Sequence, residues 1–292
     1  MARMETLQKI ANVLVYVYLL TTTGYTVFAK GRIADIFHGY QTYFDPGKYC
    51  VFSSMMGLYL LVDILHDLAT WVFLLWSLIH LLLAGFVIYQ WSEAANEAAM
   101  QGVGWQFIIS ALLNSLWFAL LENHRPILAF FVSLLLVGSV SVIYYNLEAN
   151  HPTQTWLDKL FLHAPFSLWH GFTVFLAVVN GFVAFTKVKK NADGDIISPD
   201  LLHLILVYAA LIFLALTAIG YVQYKHEKGD LTSAWAIAFG LWAVFAKQTD
   251  PLIHWPTLAA ALLTTLWPAK PYLYSMMGIS TRSSESAPLL ST

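Results

Sequence analysis

The chain has 292 residues, of which 59% are hydrophobic and only 11% charged, with a mean hydropathy of +0.64 and a formal net charge of −2. An ordinary soluble domain is about 25% charged, so this is the composition of a polytopic membrane protein, and the near-neutral balance excludes a nucleic-acid partner. The single cysteine, Cys50, excludes an intramolecular disulfide and any zinc site built from several thiolates.

In chain order, apolar runs occupy residues 10–28, 71–91, 105–121, 126–145, 165–185, 201–222, 233–247 and 252–267. A hydrocarbon core of ~30 Å takes ~20 helical residues to cross, so the pattern predicts an all-α transmembrane bundle of about eight spans. The first run is long enough to stay as a span rather than leave as a signal peptide. Residues 50–65 form a ninth apolar segment, broken by Asp63, His66 and Asp67; a span, a re-entrant piece and an interfacial helix all fit it. Lys and Arg divide eight to seven between the two sides of such a bundle, which sets no orientation. Connections are short, so consecutive helices are expected as antiparallel neighbours.

The run 164–185 carries polar groups inside an apolar stretch, which needs a reason in a membrane. At ~100° per residue, Ser167, His170, Thr173, Asn180 and Gly181 share one side, while Leu168, Phe172, Phe175, Val179 and Phe182 share the other. The bulky side is expected to face lipid, the small side to pack or to line a cavity. Gly171 and Gly181 are candidates for loosening this helix.

The second run reads Trp71-Val-Phe73-Leu-Leu-Trp76-Ser-Leu-Ile-His80, the third contains Leu113-Asn114-Ser-Leu-Trp117, and the fifth has Pro165, Phe172 and Asn180. Together these resemble the TspO/MBR family, the translocator-protein-like or tryptophan-rich sensory proteins. Its second helix carries W-x-F-x-x-W-x-x-x-Y, its third L-N-x-x-W, and its fifth a Pro followed by Trp and then Asn. The likeness covers roughly residues 7–185 and is closest to a divergent branch with about three further helices. It departs at Leu68-Ala69-Thr70, where the family has a proline pair, at His80 for Tyr, and at Phe172 for Trp.

The resemblance implies a TspO-like five-helix core over residues 1–185 and three appended helices over 186–270, while a polar composition rich in Ser and Thr from Ser275 on is the reason to expect a disordered tail over 271–292. It also implies a pocket between helices for a hydrophobic planar ligand, tetrapyrrole or sterol-like, in a sensor, carrier or transporter. The residues carried over as its lining are Trp76, His80, Asn114, Trp117, Trp169, His170 and Asn180. Indoles offer stacking area and one N–H; Trp76, Trp117 and Trp169 also suit an interfacial belt or plain packing. The two Asn suit interhelical hydrogen bonds as well as ligand contact. His80, His170 and His203 lie on separate runs, and if they converged they could ligate haem iron or another metal. Haem or porphyrin is thus the cofactor considered, the bilayer and a hydrophobic small molecule the partners, and a homo-oligomer stays open.

Asp63, His66 and Asp67 stand at i, i+3 and i+4, which suits a metal site, the acidic centre of a membrane-embedded enzyme, or a polar membrane surface. No phosphate-cradling loop, nucleophile elbow, zincin motif or dinucleotide fingerprint occurs, so conventional catalysis has no visible machinery. A secondary transporter and a membrane-embedded lipid or terpenoid enzyme remain the alternative classes. The tail contains Glu285 ahead of Leu289 and Leu290, the pattern of an acidic dileucine sorting signal, which would place the chain in a vacuolar or endosomal membrane of a eukaryote.

Overall fold

A computed structural model describes residues 2–28, 42–45, 72–192, 197–224 and 229–276. Every apolar run expected as a span forms a helix: α1 (Ala2–Phe28), α2 (Val72–Tyr89), α4 (Gln106–Glu122), α5 (Pro126–Asn150), α7 (Ala164–Phe185), α8 (Leu201–Tyr224), α9 (Leu231–Lys247) and α10 (Pro251–Met276). Two short helices complete the set, α3 (Glu93–Glu97) and α6 (Trp156–Asp158). A π-helical turn over Ala98–Val103 continues α3, and a second over Lys159–His163 joins α6 to α7. There is no strand among the described residues. Cys50, Asp63, His66, Asp67, Glu285, Leu289 and Leu290 lie outside them.

Local chemistry sets the helix boundaries. Ser92 caps α3 by accepting from the Ala95 N–H at 3.2 Å. Thr155 and Asp158 form a reciprocal capping box at α6, and Asp230 caps α9 by accepting from the Thr232 N–H at 2.9 Å. Each satisfies amide donors that a helix N-terminus leaves without intrahelical partners. Gly229, just before that cap, has φ +58 and lies so close to α8 that a Cβ there would stand 2.6 Å from the Val222 carbonyl oxygen. Only glycine meets both demands.

α7 is the centre. It packs against α5 and α9 along most of its length and against α2 more locally; α1 lies on α4 and α2, α4 on α5, and α9 on α8 and α10. The α7–α9 joint depends on small residues: a Cβ on Gly171 would collide with the Ser233 carbonyl oxygen, and one on Gly240 would come within 2.6 Å of the Phe175 ring. The Ser233 hydroxyl donates across this joint to the Ser167 carbonyl oxygen at 2.8 Å. Gly171 therefore permits close approach and does not loosen the helix, while Gly181 faces the Phe130 ring.

Two expectations are corrected here. The bulky side of α7 does not face lipid: Phe172 and Phe175 are 0% exposed, and Leu168, Val179 and Phe182 are also buried. Both sides of α7 have protein neighbours, and an apolar side chain suits a protein interior as well as it suits lipid. The tail also begins later than residue 271, because α10 runs to Met276. A formed helix extends at the cost of ordering one residue per added hydrogen bond.

Among the described residues three helical rods are long and apolar enough to cross a membrane: α5, the continuous Trp156–Phe185 rod, and α8 over Leu201–Gln223. A fourth is available if α2 and the Glu93–Val103 segment, bent by 107°, count as one span. The α7 rod is 72% buried against 33% for α8, whose Leu202, Ile205, Ile212, Phe213 and Leu216 form an exposed stripe. An apolar stripe of that size belongs against lipid.

Candidate functional site

α2 places Trp76 and His80 one turn apart on one face, α4 contributes Asn114, α7 contributes Trp169, and Leu19 of α1 closes the group. With Ile79 and Leu83 they line one narrow, partly open cavity that is too tight, as it stands, to hold a water molecule. All three polar donors of α2 and α4 are deeply buried: Trp76 is 2%, His80 5% and Asn114 0% exposed. The indole Nε1 of Trp76, both ring nitrogens of His80, and both amide atoms of Asn114 have no hydrogen-bond partner among the described residues. Buried polar atoms are paired in the great majority of cases, so five unpaired atoms around one cavity set this place apart.

Aromatic rings hold this arrangement in place. His80 stands edge-on to Trp76 with centroids 5.3 Å apart, and Trp76 in turn contacts Phe172 at 5.2 Å and Phe118 at 6.1 Å. Phe172 thus keeps a ring against Trp76 at the position where the resembling family carries Trp. Trp169 is backed by Phe107 at 6.3 Å. Trp117, 2% exposed, follows Asn114 by one turn and packs on Phe118 at 4.5 Å, so it stands beside the cavity wall without lining it, its own Nε1 unpaired.

The remaining candidates stand elsewhere. Asn180 donates from Nδ2 to the Leu176 carbonyl oxygen of its own helix at 2.8 Å, which ties this amide within α7. His203 is at the start of α8, hydrogen-bonded through Nδ1 to Asp200 and edge-on to Tyr43, remote in role from the other two histidines. His170 faces away from the cavity. Its Nε2 is 2.7 Å from the Ser141 hydroxyl, and its Nδ1 is 2.8 Å from the Tyr221 hydroxyl. Because Ser141 spends its one proton on the Val137 carbonyl oxygen at 2.7 Å, the chain of bonds runs one way: Tyr221 donates to Nδ1, Nε2–H donates to Ser141, and Ser141 donates to Val137. Tyr144 stacks on the imidazole at 4.7 Å, and Asp230 lies close enough to act on His170, Tyr144 and Tyr221 electrostatically.

Sequence reasoning had no means to find Ser141, Tyr144, Tyr221 and Asp230. They lie on three separate stretches, Ser141 and Tyr144 on α5, Tyr221 on α8 and Asp230 at the cap of α9, and only the packing of these helices around α7 brings them to His170.

The residues present do not fit a haem. His80 lines the cavity and His170 does not, both nitrogens of His170 are engaged, and the cavity is too tight as it stands for a water molecule, far below the ~300–1,000 Å³ of sites that enclose a drug-sized ligand. Among the described residues no group of three His, Cys, Asp or Glu is placed to hold a metal ion.

A family model described as TSPO-like protein matches residues 63–268. The chain belongs to the TSPO-like family. The match covers more than half of the sequence and runs from ahead of α2 into α10, so the C-terminal helices of this TSPO-like chain lie inside the matched stretch. The all-helical architecture agrees with the helical membrane bundle of that family. No curated protein and no solved structure matches the chain.

Proposed function

We propose that this TSPO-like membrane protein binds a hydrophobic small molecule in the cavity between α1, α2, α4 and α7, as a carrier or sensor. The observation that carries the reading is the set of unpaired atoms on Trp76, His80 and Asn114 around an otherwise apolar space. They combine a fixed donor (indole N–H), a group that both donates and accepts (Asn114 amide), and an imidazole that does either according to tautomer. The matching ligand has an apolar body and one small polar group able to donate and accept, as a hydroxyl does. A sterol-like alcohol meets this description, its hydroxyl entering as the tight lining side chains part and its body lying toward the open side. A tetrapyrrole, with charged carboxylates and a large rigid ring, matches it poorly.

Full-length protein in detergent, titrated with a sterol, protoporphyrin and haem while Trp fluorescence is followed, tests this. Sterol is expected to quench saturably. Asn114→Leu removes both a donor and an acceptor in a dry site, so affinity is expected to fall about tenfold or more, while His170→Phe leaves it within about twofold because that ring is outside the cavity. Sterol binding that is absent, or unchanged in Asn114→Leu, sinks the reading.

A further inference from the structure

A second, larger pocket lies at the opposite extreme of polarity. It has a volume of about 150 Å³ and opens where α3 and its π-turn, turned 107° from α2, cross the end of the bundle near the end of α5 and the start of α6. Glu97 of α3, Asn150 at the end of α5, Gln154, Asp158 and His163 supply its polar lining, with Ala98 and Leu162 as apolar walls. Both π-helical turns of the described residues reach this pocket, Ala98 from one and Leu162 and His163 from the other. Such turns are rare and gather at functional sites.

The chemistry of the lining is one-sided. No Lys or Arg lines the pocket, although His151 does, and at the start of α6 the Thr155 and Asp158 amides are taken up by the capping box and the Gln154 amide by Asp158. Asp158 accepts from the Tyr89 hydroxyl at 2.8 Å on Oδ1 and from the Gln154 and Thr155 N–H groups at 3.1 and 2.8 Å on Oδ2. A carboxylate has about four acceptor positions, so one remains. His163 is fully engaged, through Nδ1 with Glu148 Oε1 at 2.9 Å and through Nε2 with the His151 carbonyl oxygen at 2.9 Å. It therefore braces the rim and offers no donor of its own. The negative end of the α5 dipole also points here.

What remains is an acceptor-rich, anionic recess with short apolar walls. A metal ion is not its occupant, since no three ligating side chains converge. A quaternary ammonium is not either, because no Phe, Tyr or Trp lines the pocket to form a cage. A primary ammonium has three N–H donors to distribute among Glu97, the free position of Asp158 and the amide oxygens. Trp91, Trp105 and Trp156, which flank the lining segments in sequence, are 50%, 47% and 70% exposed, the placement of indoles at a membrane–water boundary. We propose that this pocket recognises a primary ammonium group on a short apolar stem, supplied by an aminophospholipid headgroup or by a free amine.

The test uses the full chain in detergent, titrated calorimetrically with ethanolamine and, in parallel, with choline, to about 50 mM, well past the ~1 mM dissociation constant of a few hydrogen bonds at a wet site. Saturable ethanolamine binding, at least fivefold weaker in Glu97→Gln and with choline binding markedly worse, is expected. Glu97 is exposed and ends α3, so its substitution leaves folding intact; Gln154→Ala is the second variant. Native mass spectrometry from nanodiscs containing phosphatidylethanolamine or phosphatidylcholine separates the sources. Retention of phosphatidylethanolamine that is lost in Glu97→Gln assigns the lipid, and ethanolamine binding without retained lipid assigns the free amine. No saturable ethanolamine binding, equal binding of choline, or indifference to both variants overturns the proposal. The pocket shares no residue with the α1–α2–α4–α7 cavity, so either site can fail without the other.

Discussion

Each of the five unpaired atoms on Trp76, His80 and Asn114 withholds stability from the ligand-free protein, at a typical ~1–3 kcal/mol for a buried polar group without a partner. Replacing such a group by an apolar one of similar volume is expected to stabilise. Asn114→Leu and His80→Leu should each raise the thermal unfolding midpoint in detergent, by the equivalent of about 1–2 kcal/mol, while weakening ligand binding. A lowered midpoint in both would show that the atoms are satisfied. His170 gives the opposite sign: His170→Leu strands the Tyr221 hydroxyl and the Ser141 oxygen that now bond to it, and a loss of about 1–3 kcal/mol is expected in the same assay. The three residues look alike in the sequence, as polar groups within apolar runs. Spacing tells that Asn114 and Asn180 lie inside helices but not that Asn180 turns its amide to its own backbone. That choice is made by the neighbours, and a single chain does not display them.

Between elements, two glycines make a matched pair. A methyl on Gly171 has to displace the Ser233 backbone, whereas one on Gly138 of α5 meets nothing within 4 Å. Gly171→Ala is expected to cost about 2 kcal/mol or more by forcing α7 and α9 apart, and Gly138→Ala to be neutral or to gain up to about 1 kcal/mol from helix propensity; paired unfolding curves decide. The link between α7 and α8 carries a pH response. The Lys189 ammonium, with His203 second, holds the Asp200 carboxyl well below its ordinary 3.8, and the same hydrogen bond raises Lys189 above its ordinary 10.5. A depressed carboxyl contributes fully above its unfolded value and is lost as pH falls through the folded one. A raised ammonium contributes below its unfolded value and is lost as pH rises through the folded one. Hydrogen exchange in the first turn of α8 should therefore show protection, relative to Asp200→Asn, that is constant near neutrality, begins to decline as pH drops below 3.8 and is gone only once the lower folded value is passed. The pair is water-exposed, so the response is local.

Over the whole molecule, α9 is as much a neighbour of α7 as α5 is. A chain ending at residue 185 would uncover Gly171, Phe175 and the Ser167 carbonyl now bonded to Ser233, and is expected to yield no monodisperse species on gel filtration in detergent that holds the full chain. A well-behaved truncation would show that the first five spans are self-sufficient. Helix existence was legible throughout, because eight apolar runs bounded by caps, Pro and Gly leave few other structures open in lipid. The cavity was legible in part: Trp76, His80, Asn114 and Trp169 were reached through resemblance to known motifs, and they share one space. The relation of α7 to its surroundings was not legible, since hydropathy gives one value to a side chain facing acyl chains and to one facing protein.

The central place of α7 also governs how the sequence can change. A helix at the rim of a bundle has one face on protein and one on lipid, so substitutions that it tolerates recur with the helical repeat. The first half of α7 has no idle face: from Pro165 to Phe175 only His170 is more than marginally exposed. In a saturation mutagenesis profile α8 should alternate between permissive and forbidding positions every three to four residues, and α7 should give a flat, forbidding line over Pro165 to Phe175, with its few conservative exchanges tied to compensating changes on α5 and α9.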